Sequence, residues 1–267
     1  MWMRPNAVAG STPSLPNRGR GLATRRTGND PRRTAPRTTS AAGTGDRSVL
    51  SGGRGNLYPS WVDDRRLVAL RRVGLSAFLV EVDLETGQMT ERVALPEAAS
   101  FPRIAPDGDT FAATVGEPVN TLGRGSLKAG TFAPWPALVG YSFPVWSPDG
   151  RQLAVEMKQG PHMLMGVADV ATGAVRQISP PEGQHWPGSF SPDGQRLAVA
   201  SPGPTGIWNI EVVDIATGER RPLTTATSPE LVARFPSWSP RGDAIVWAQT
   251  ALSGTLSLVR PPPRRPL

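Results

Sequence analysis

An all-β chain of radially arranged four-stranded sheets, a β-propeller, is the fold class this sequence predicts. Three observations carry the prediction. First, a Phe-Pro-x-Trp-Ser-Pro-Asp-Gly string recurs: its sharpest copy is Phe143–Gly150, and blurrier ones are Tyr58-Pro59-Ser60-Trp61, Phe101-Pro102 with Pro106-Asp107-Gly108, Trp186-Pro187 with Ser191–Gly194, and Phe235–Pro240. Second, the copies follow one another at about 42–48 residues, the length one propeller blade needs. Third, the chain holds 29 Pro and 29 Gly and its apolar runs are short or alternating, whereas helical repeats of similar period require apolar residues at 3.6 spacing.

Each element of the repeat has a physical reason. In the third unit Gln152–Met157, Met163–Asp169 and Ala174–Ile178 read as strands, and the aromatic-Pro segment ahead of them supplies the fourth. The fourth unit repeats the scheme with Arg196–Ala200, Ile207–Asp214 and Glu219–Thr224. Between the first two strands lies a tight turn built on Asp107-Gly108, Asp149-Gly150 and Asp193-Gly194. Pro presets φ there, Asp bonds nearby amides and Gly accepts positive φ. A second turn recurs as Asp83…Gly87, Asp169…Gly173 and Asp214…Gly218, the pattern of a short hairpin closed by a left-handed Gly. These aspartates are turn formers rather than catalytic acids. Trp61, Trp146, Phe190 and Trp238 repeat in register, as aromatics of an inter-blade core should.

The two motifs together resemble the TolB-like propeller repeats, also called WD40-like or PD40 repeats. Phe143–Gly150 and Asp214–Thr224 carry the likeness most closely, and it extends over residues 56–259. It implies blades at about 56–97, 98–139, 140–181, 182–228 and 229–260, with tails at 1–46 and 261–267. Six blades are usual in that family, so five units leave open a true five-blade ring or a truncated larger one. The departures are local. Asp63-Asp64-Arg65 replaces Pro-Asp-Gly in unit one, and Gly116–Pro136 replaces the Asp-x-x-Thr-Gly hairpin in unit two. Unit five reads Ser239-Pro240-Arg241-Gly242 and lacks an outer strand. If the ring closes, Ser48–Ser51 is the stretch expected to pair with Thr255–Val259, because an open blade leaves unpaired amides and carbonyls.

Charge is distributed unevenly. The formal net charge is +7, yet ten Arg against two Asp lie in residues 1–55 and three Arg in 260–267, so the body is mildly acidic. A basic face for nucleic acid is not predicted for the folded part. Residues 1–46, rich in Arg, Pro, Thr, Gly and Ser, cannot bury enough apolar surface to offset ordering entropy and read as disordered. Met1 is followed by no signal-peptide core, and no 18-residue apolar run occurs, so no membrane span is expected. The compartment stays open, since the resembled family is often periplasmic. With no Cys, disulfides and thiol chemistry are excluded.

The supply of catalytic groups is thin. His162 and His185 are the only histidines, too few for a Cys/His zinc site. No Gly-x-Ser-x-Gly elbow or Walker loop is present, and Arg241-Gly242-Asp243 reads as a drifted turn. Both recurrent turns link alternate strand pairs and fall on one side of the disc. The other side carries the connections of variable length: Glu156–His162, Ser179–Trp186, Ser201–Gly206, Thr225–Ala233 and Gln249–Gly254. Variable loops on a rigid scaffold are where binding usually resides, and Lys158, His162, His185 and Trp186 are the candidate contact residues there. The expectation is a monomeric, non-enzymatic scaffold with no cofactor and no metal, binding a protein or peptide through that face or the central channel. The alternative readings are a propeller lyase or hydrolase acting on a saccharide or peptide with a histidine base, or the propeller fragment of a prolyl-oligopeptidase-like peptidase.

Overall fold

The computed structural model describes residues 22–24, 37–39, 47–48, 56–116, 119–203, 205–228, 232–250 and 255–259. All of its named elements are strands. β1 (Leu22–Thr24), β2 (Arg37–Thr39) and β3 (Arg47–Ser48) form an antiparallel sheet of their own. The remainder of segment 1–46, read above as disordered, lies outside the described residues, as does 260–267.

Five antiparallel meanders follow, one per repeat. The first is β4 (Asn56–Trp61), β5 (Arg66–Val73), β6 (Ser76–Asp83) and β7 (Met89–Leu95). Next come β8 (Ala99–Ile104), β9 (Thr110–Val115), β10 (Thr121–Ser126) and β11 (Thr131–Val139). The third and fourth are β12 (Tyr141–Trp146), β13 (Gln152–Gln159), β14 (His162–Asp169) and β15 (Val175–Gln177), then β16 (Trp186–Phe190), β17 (Arg196–Pro202), β18 (Trp208–Asp214) and β19 (Arg220–Pro222). The last has three strands: β20 (Val232–Trp238), β21 (Ile245–Thr250) and β22 (Thr255–Val259). The inner strands β4, β8, β12, β16 and β20 neighbour one another in that order. This is the all-β propeller the repeat predicts, with three strands in the fifth sheet among the described residues.

The turn chemistry explains the period. Asp149 Oδ1 accepts from Arg151 N at 3.0 Å and from Ser147 Oγ at 2.6 Å, and Asp214 Oδ1 accepts from Ala216 N and Thr217 N at 3.0 and 2.9 Å. Gly87, Gly108, Gly150, Gly173, Gly194 and Gly218 take φ of +69° to +74°, a region open to Gly at little cost. Asp83 illustrates the electrostatic result: the Thr86 amide, then the Arg65 guanidinium at 2.6 Å, pull its carboxyl down to about 2. Unit two, which lacks the hairpin motif, makes the same turn differently. Asp109, at the preceding turn, accepts from Lys128 N at 2.7 Å and from Ser126 Oγ, so a neighbouring carboxylate takes the place of the missing one.

One expectation is corrected. Ser48 pairs with Arg37 within the β1–β3 sheet, and among the described residues β22 pairs with β21. Ser48 therefore does not take the predicted place against Thr255–Val259; Val49–Ser51, the rest of the expected closing stretch, lie outside the described residues. A local meander closes short loops, whereas ring closure must join segments about 200 residues apart, at a larger entropic cost.

Adjacent sheets pack face to face. Phe111, Leu70, Leu79 and Ile104 fill the space between the first and second sheets, and Leu122, Leu138, Leu153 and Val155 that between the second and third. Phe190, Leu197 and Met165 join the third to the fourth, and Trp238, Trp247 and Ile210 the fourth to the fifth. Trp61 is buried against Leu67 and Val80 of its own sheet. Trp146 is half-buried, and its Nε1 donates across the interface to the Arg103 carbonyl at 3.0 Å. Two further inter-sheet bonds, Ile104 N to Ser60 Oγ at 3.1 Å and Trp238 N to Ser189 Oγ at 2.7 Å, recur at one height.

Gly188 marks the tightest approach between the fourth and fifth sheets. A Cβ there would lie 2.5 Å from both Pro236 Cγ and Pro236 O, and 2.7 Å from Ala198 O. Gly188→Ala is expected to destabilise the fold by about 1–3 kcal/mol, the usual cost of overpacking. The urea midpoint measures it, and an unchanged midpoint would show that the inter-sheet spacing can yield.

Candidate functional site

Every inner strand carries a β-bulge at the aromatic-Pro position. The register slips between Leu57 and Ser60, Ser100 and Arg103, Ser142 and Val145, Pro187 and Ser189, and Arg234 and Ser237. Tyr58, Phe101, Phe143 and Phe235 occupy the first bulge position with φ of 50–55°, which is uncommon for a residue with a Cβ. Their rings converge. Tyr58 and Phe101 have centroids 4.2 Å apart, and Phe101 and Phe143 3.9 Å.

The fourth sheet breaks the series. Trp186-Pro187 reads in the sequence as a copy of the aromatic-Pro pair, but the register pairs Trp186 with Ala200 and Pro187 with Val199. Ser142, one residue ahead of Phe143, pairs with Glu156 in the same way. Pro187 therefore stands at the place of Phe143, and Trp186 one step earlier. From there the Trp186 ring reaches Trp208, with centroids 4.5 Å apart, and Phe235 at 6.2 Å. The Arg234 guanidinium lies 4.8 Å from the Trp186 ring and 4.7 Å from the Trp208 ring, so the cation and the two indoles form a triangular cluster. Such contacts are worth about 0.5–2 kcal/mol each. Its Nε is buried with no hydrogen-bond partner among the described residues, and burial pulls its pKa down. Trp186 starts β16 and Trp208 starts β18, so the cluster sits beside the loops of variable length.

The other residues singled out by the sequence are dispersed around this cluster. Lys158 is an exposed strand residue of β13, paired with Met163. His162 opens β14 and is half-buried, its Nδ1 accepting from Gly183 N at 3.1 Å. His185 is buried. Its Nε2 donates to the Glu182 carbonyl at 2.9 Å, and Nδ1 faces an Arg220 nitrogen at 3.5 Å. Burial above all, then Arg220, pulls its pKa down, so the ring is neutral with the proton on Nε2 as its partners assign it. Arg220 in turn pairs with Glu211 at 2.8 Å. Neither histidine bonds a carboxylate, and no group of three potential metal ligands forms, among the described residues.

Glu156, which the sequence placed in the strand Gln152–Met157 and also at the start of a connection, is a strand residue, 1% exposed, with both carboxylate oxygens lacking a partner among the described residues. The repeat explains why. One sheet earlier, Thr114 holds the equivalent register position and its Oγ1 accepts the Phe143 N–H at 3.0 Å. In the next interface the residue at the place of Phe143 is Pro187, which has no N–H to give. Burial accordingly pushes the Glu156 carboxyl up to about 8.

A second concavity, a groove of about 780 Å³, lies on the opposite side, between the second and third sheets. Asp107, Arg124, Trp135, Trp146, Asp149 and Val170 line it, and Arg124 stacks on Trp135 at 5.0 Å. Its two carboxylates are already committed to the turns: Asp107 accepts from Asp109 N and Thr110 N at 2.8 Å, and Asp149 from Arg151 N. The sequence reading missed this groove. The signal for it is the Ala133-Pro134-Trp135-Pro136 run in the long edge strand β11.

The fold defines a β-propeller whose inner strands meet in an aromatic channel. No family model matches the chain. Over 82 residues it is 35% identical to the Tol-Pal system protein TolB of Francisella tularensis, a stretch that is 30% of this chain and 19% of that protein. Among solved structures it is similar to TolB from Acinetobacter baumannii, with a TM-score of 0.73 and 21% identity over 86% of this chain and 57% of that one. An oligogalacturonate lyase in complex with manganese shares the fold at a TM-score of 0.58 and 14% identity, over 84% of this chain and 81% of that one. The protein is a β-propeller similar to TolB over the matched stretch, which spans about a fifth of the length of the curated relative.

Proposed function

We propose that this protein is a TolB-like scaffold that binds a protein or peptide across the channel mouth on its variable-loop side. The observation that carries the reading is the cluster of Trp186, Trp208 and Arg234 beside Phe235. Trp and Arg dominate the energetic centres of protein interfaces, because a flat apolar face and a multidentate cation bury well together. The matched relatives, named as proteins of the Tol-Pal system, agree with a role in a protein assembly. The groove on the other side is less suited, since its carboxylates already serve the turns.

Affinity capture with the full chain as bait tests the reading. A partner is expected whose capture falls at least ~10-fold with Trp208→Ala and with Arg234→Ala, in line with the ≥2 kcal/mol of a hot spot. Trp135→Ala, in the far groove, should leave it unchanged. Undiminished capture by both channel-mouth variants would overturn it. So would a lyase or hydrolase activity of the purified protein that His162→Ala abolishes.

A further inference from the structure

The channel contains a cation that the fold does not require. Arg103 closes the bulge of β8, and its side chain lines a cavity of about 30 Å³ walled by Phe101, Phe143, Pro144, Trp186 and Phe235. Among the described residues no carboxylate forms an ion pair with it. Its own hydrogen bond runs from one terminal nitrogen to the adjacent Pro102 carbonyl at 3.0 Å. The side chain is half-buried, with the Tyr58 phenol beside it, and its guanidinium has five N–H donors of which that bond uses one. At the equivalent register positions of the other sheets stand Ser60, Val145, Ser189 and Ser237, all neutral. The repeat therefore builds this height of the channel without a charge. Aromatic and proline walls take the cation part-way out of water, which pulls its pKa down to about 10 against the opposing pull of Tyr58, and it stays charged at neutral pH.

We infer that the channel is an anion site in which the Arg103 guanidinium receives one compact carboxylate. The chemistry fits each wall. A guanidinium matches a carboxylate with two parallel N–H···O bonds, and aromatic rings present electropositive edges to an anion. The cavity of about 30 Å³ has room for a head of two or three small atoms and is too small for a peptide backbone. A free small carboxylate fits, and so does the tip of an aspartate. The inference does not depend on a protein partner, and its readout is separate from capture at the Trp208 face.

Thermal unfolding of the full chain tests it, with sodium formate replacing sodium methanesulfonate at constant ionic strength. A saturable rise in Tm of a few degrees is expected, as for any ligand that binds only the folded state. Arg103→Met should abolish the rise. Arg103→Lys, which keeps the charge and loses the two-pronged geometry, should weaken formate binding by at least ~3-fold, and it carries the test if the Met variant does not fold. N-acetyl-aspartamide distinguishes the source. A rise with it as well as with formate identifies a carboxylate presented on a chain, and a rise with formate alone identifies a free anion. A Tm indifferent to anion identity, or a formate response equal in wild type and the Arg103 variants, overturns the proposal.

Discussion

Replacing Glu156 with Gln is expected to stabilise the protein increasingly as pH rises from 5 to 8. The folded state holds this carboxyl neutral, with its pKa pushed from 4.5 up to about 8 by burial. Below about pH 4.5 the group is protonated in both states and contributes nothing. Between the two values the unfolded chain ionises while the folded chain does not, so stability falls as pH rises, and above about 8 the loss is complete. At most this amounts to about 4–5 kcal/mol, each tenfold in proton affinity being 1.36 kcal/mol. Gln has the same shape and cannot ionise, so the difference between variant and wild-type urea midpoints isolates the effect. His185 titrates with the opposite slope, its pKa being lowered in the fold, but it is common to both proteins and cancels. Glu156→Leu, which installs the residue that stands at Leu70 in the first sheet, should stabilise further near pH 8. A variant-minus-wild-type difference that stays flat between pH 5 and 8 would show that the carboxyl is not held neutral.

Phe111→Ala should cost about 3–5 kcal/mol, the range for deleting a fully buried aromatic ring. Phe111 is 0% exposed and stacks on Phe132, with ring centroids 5.6 Å apart and planes 11° apart. Its ring lies directly on the backbone of Gly125, where a Cβ would come within 2.6 Å of it. A glycine floor offers no side chain to lean into the vacated space. The neighbours Val68, Leu70 and Leu79 are fixed in the pairing of β5 with β6, so the cavity persists rather than collapsing. Urea denaturation at pH 7 gives the number, and a loss below about 1 kcal/mol would mean that the first and second sheets can close over the gap.

The fold was legible because its signals are local. A Pro-Asp-Gly or Asp-x-x-Thr-Gly turn is decided by four or five adjacent residues whose side chains bond their own backbone, as Asp149 and Asp214 do. The site was legible only in part, because its geometry is set between sheets. Trp186 stood out as an aromatic beside a variable loop. Trp208 and Arg234 did not, since their meeting depends on two other strands and on the one-residue offset of Pro187. That offset leaves three residues between Pro187 and Ser191, where the sharpest copy has two between Pro144 and Ser147. Glu156 fell at the overlap of the strand Gln152–Met157 and the connection Glu156–His162, and nothing local marked it as buried. In the structure β13 continues to Gln159 and the carboxyl turns inward, against the preference of charged groups for water. Arg103 carries no signal of its own; only comparison with its four counterparts around the ring shows it to be out of place.

The bulge shared by the inner strands has an effect beyond bending them. An extra residue in a strand with two-residue alternation shifts the phase of everything beyond it. Ser142 and Val145, three positions apart, thereby come to the same face of β12 instead of opposite ones. The rim of the channel and its lower half are thus written in independent frames. A rim residue can be exchanged for Trp or Arg, as at Trp186 and Arg234, without moving the small residues that knit the sheets together below, and diversity at the mouth comes at no cost to the ring beneath it.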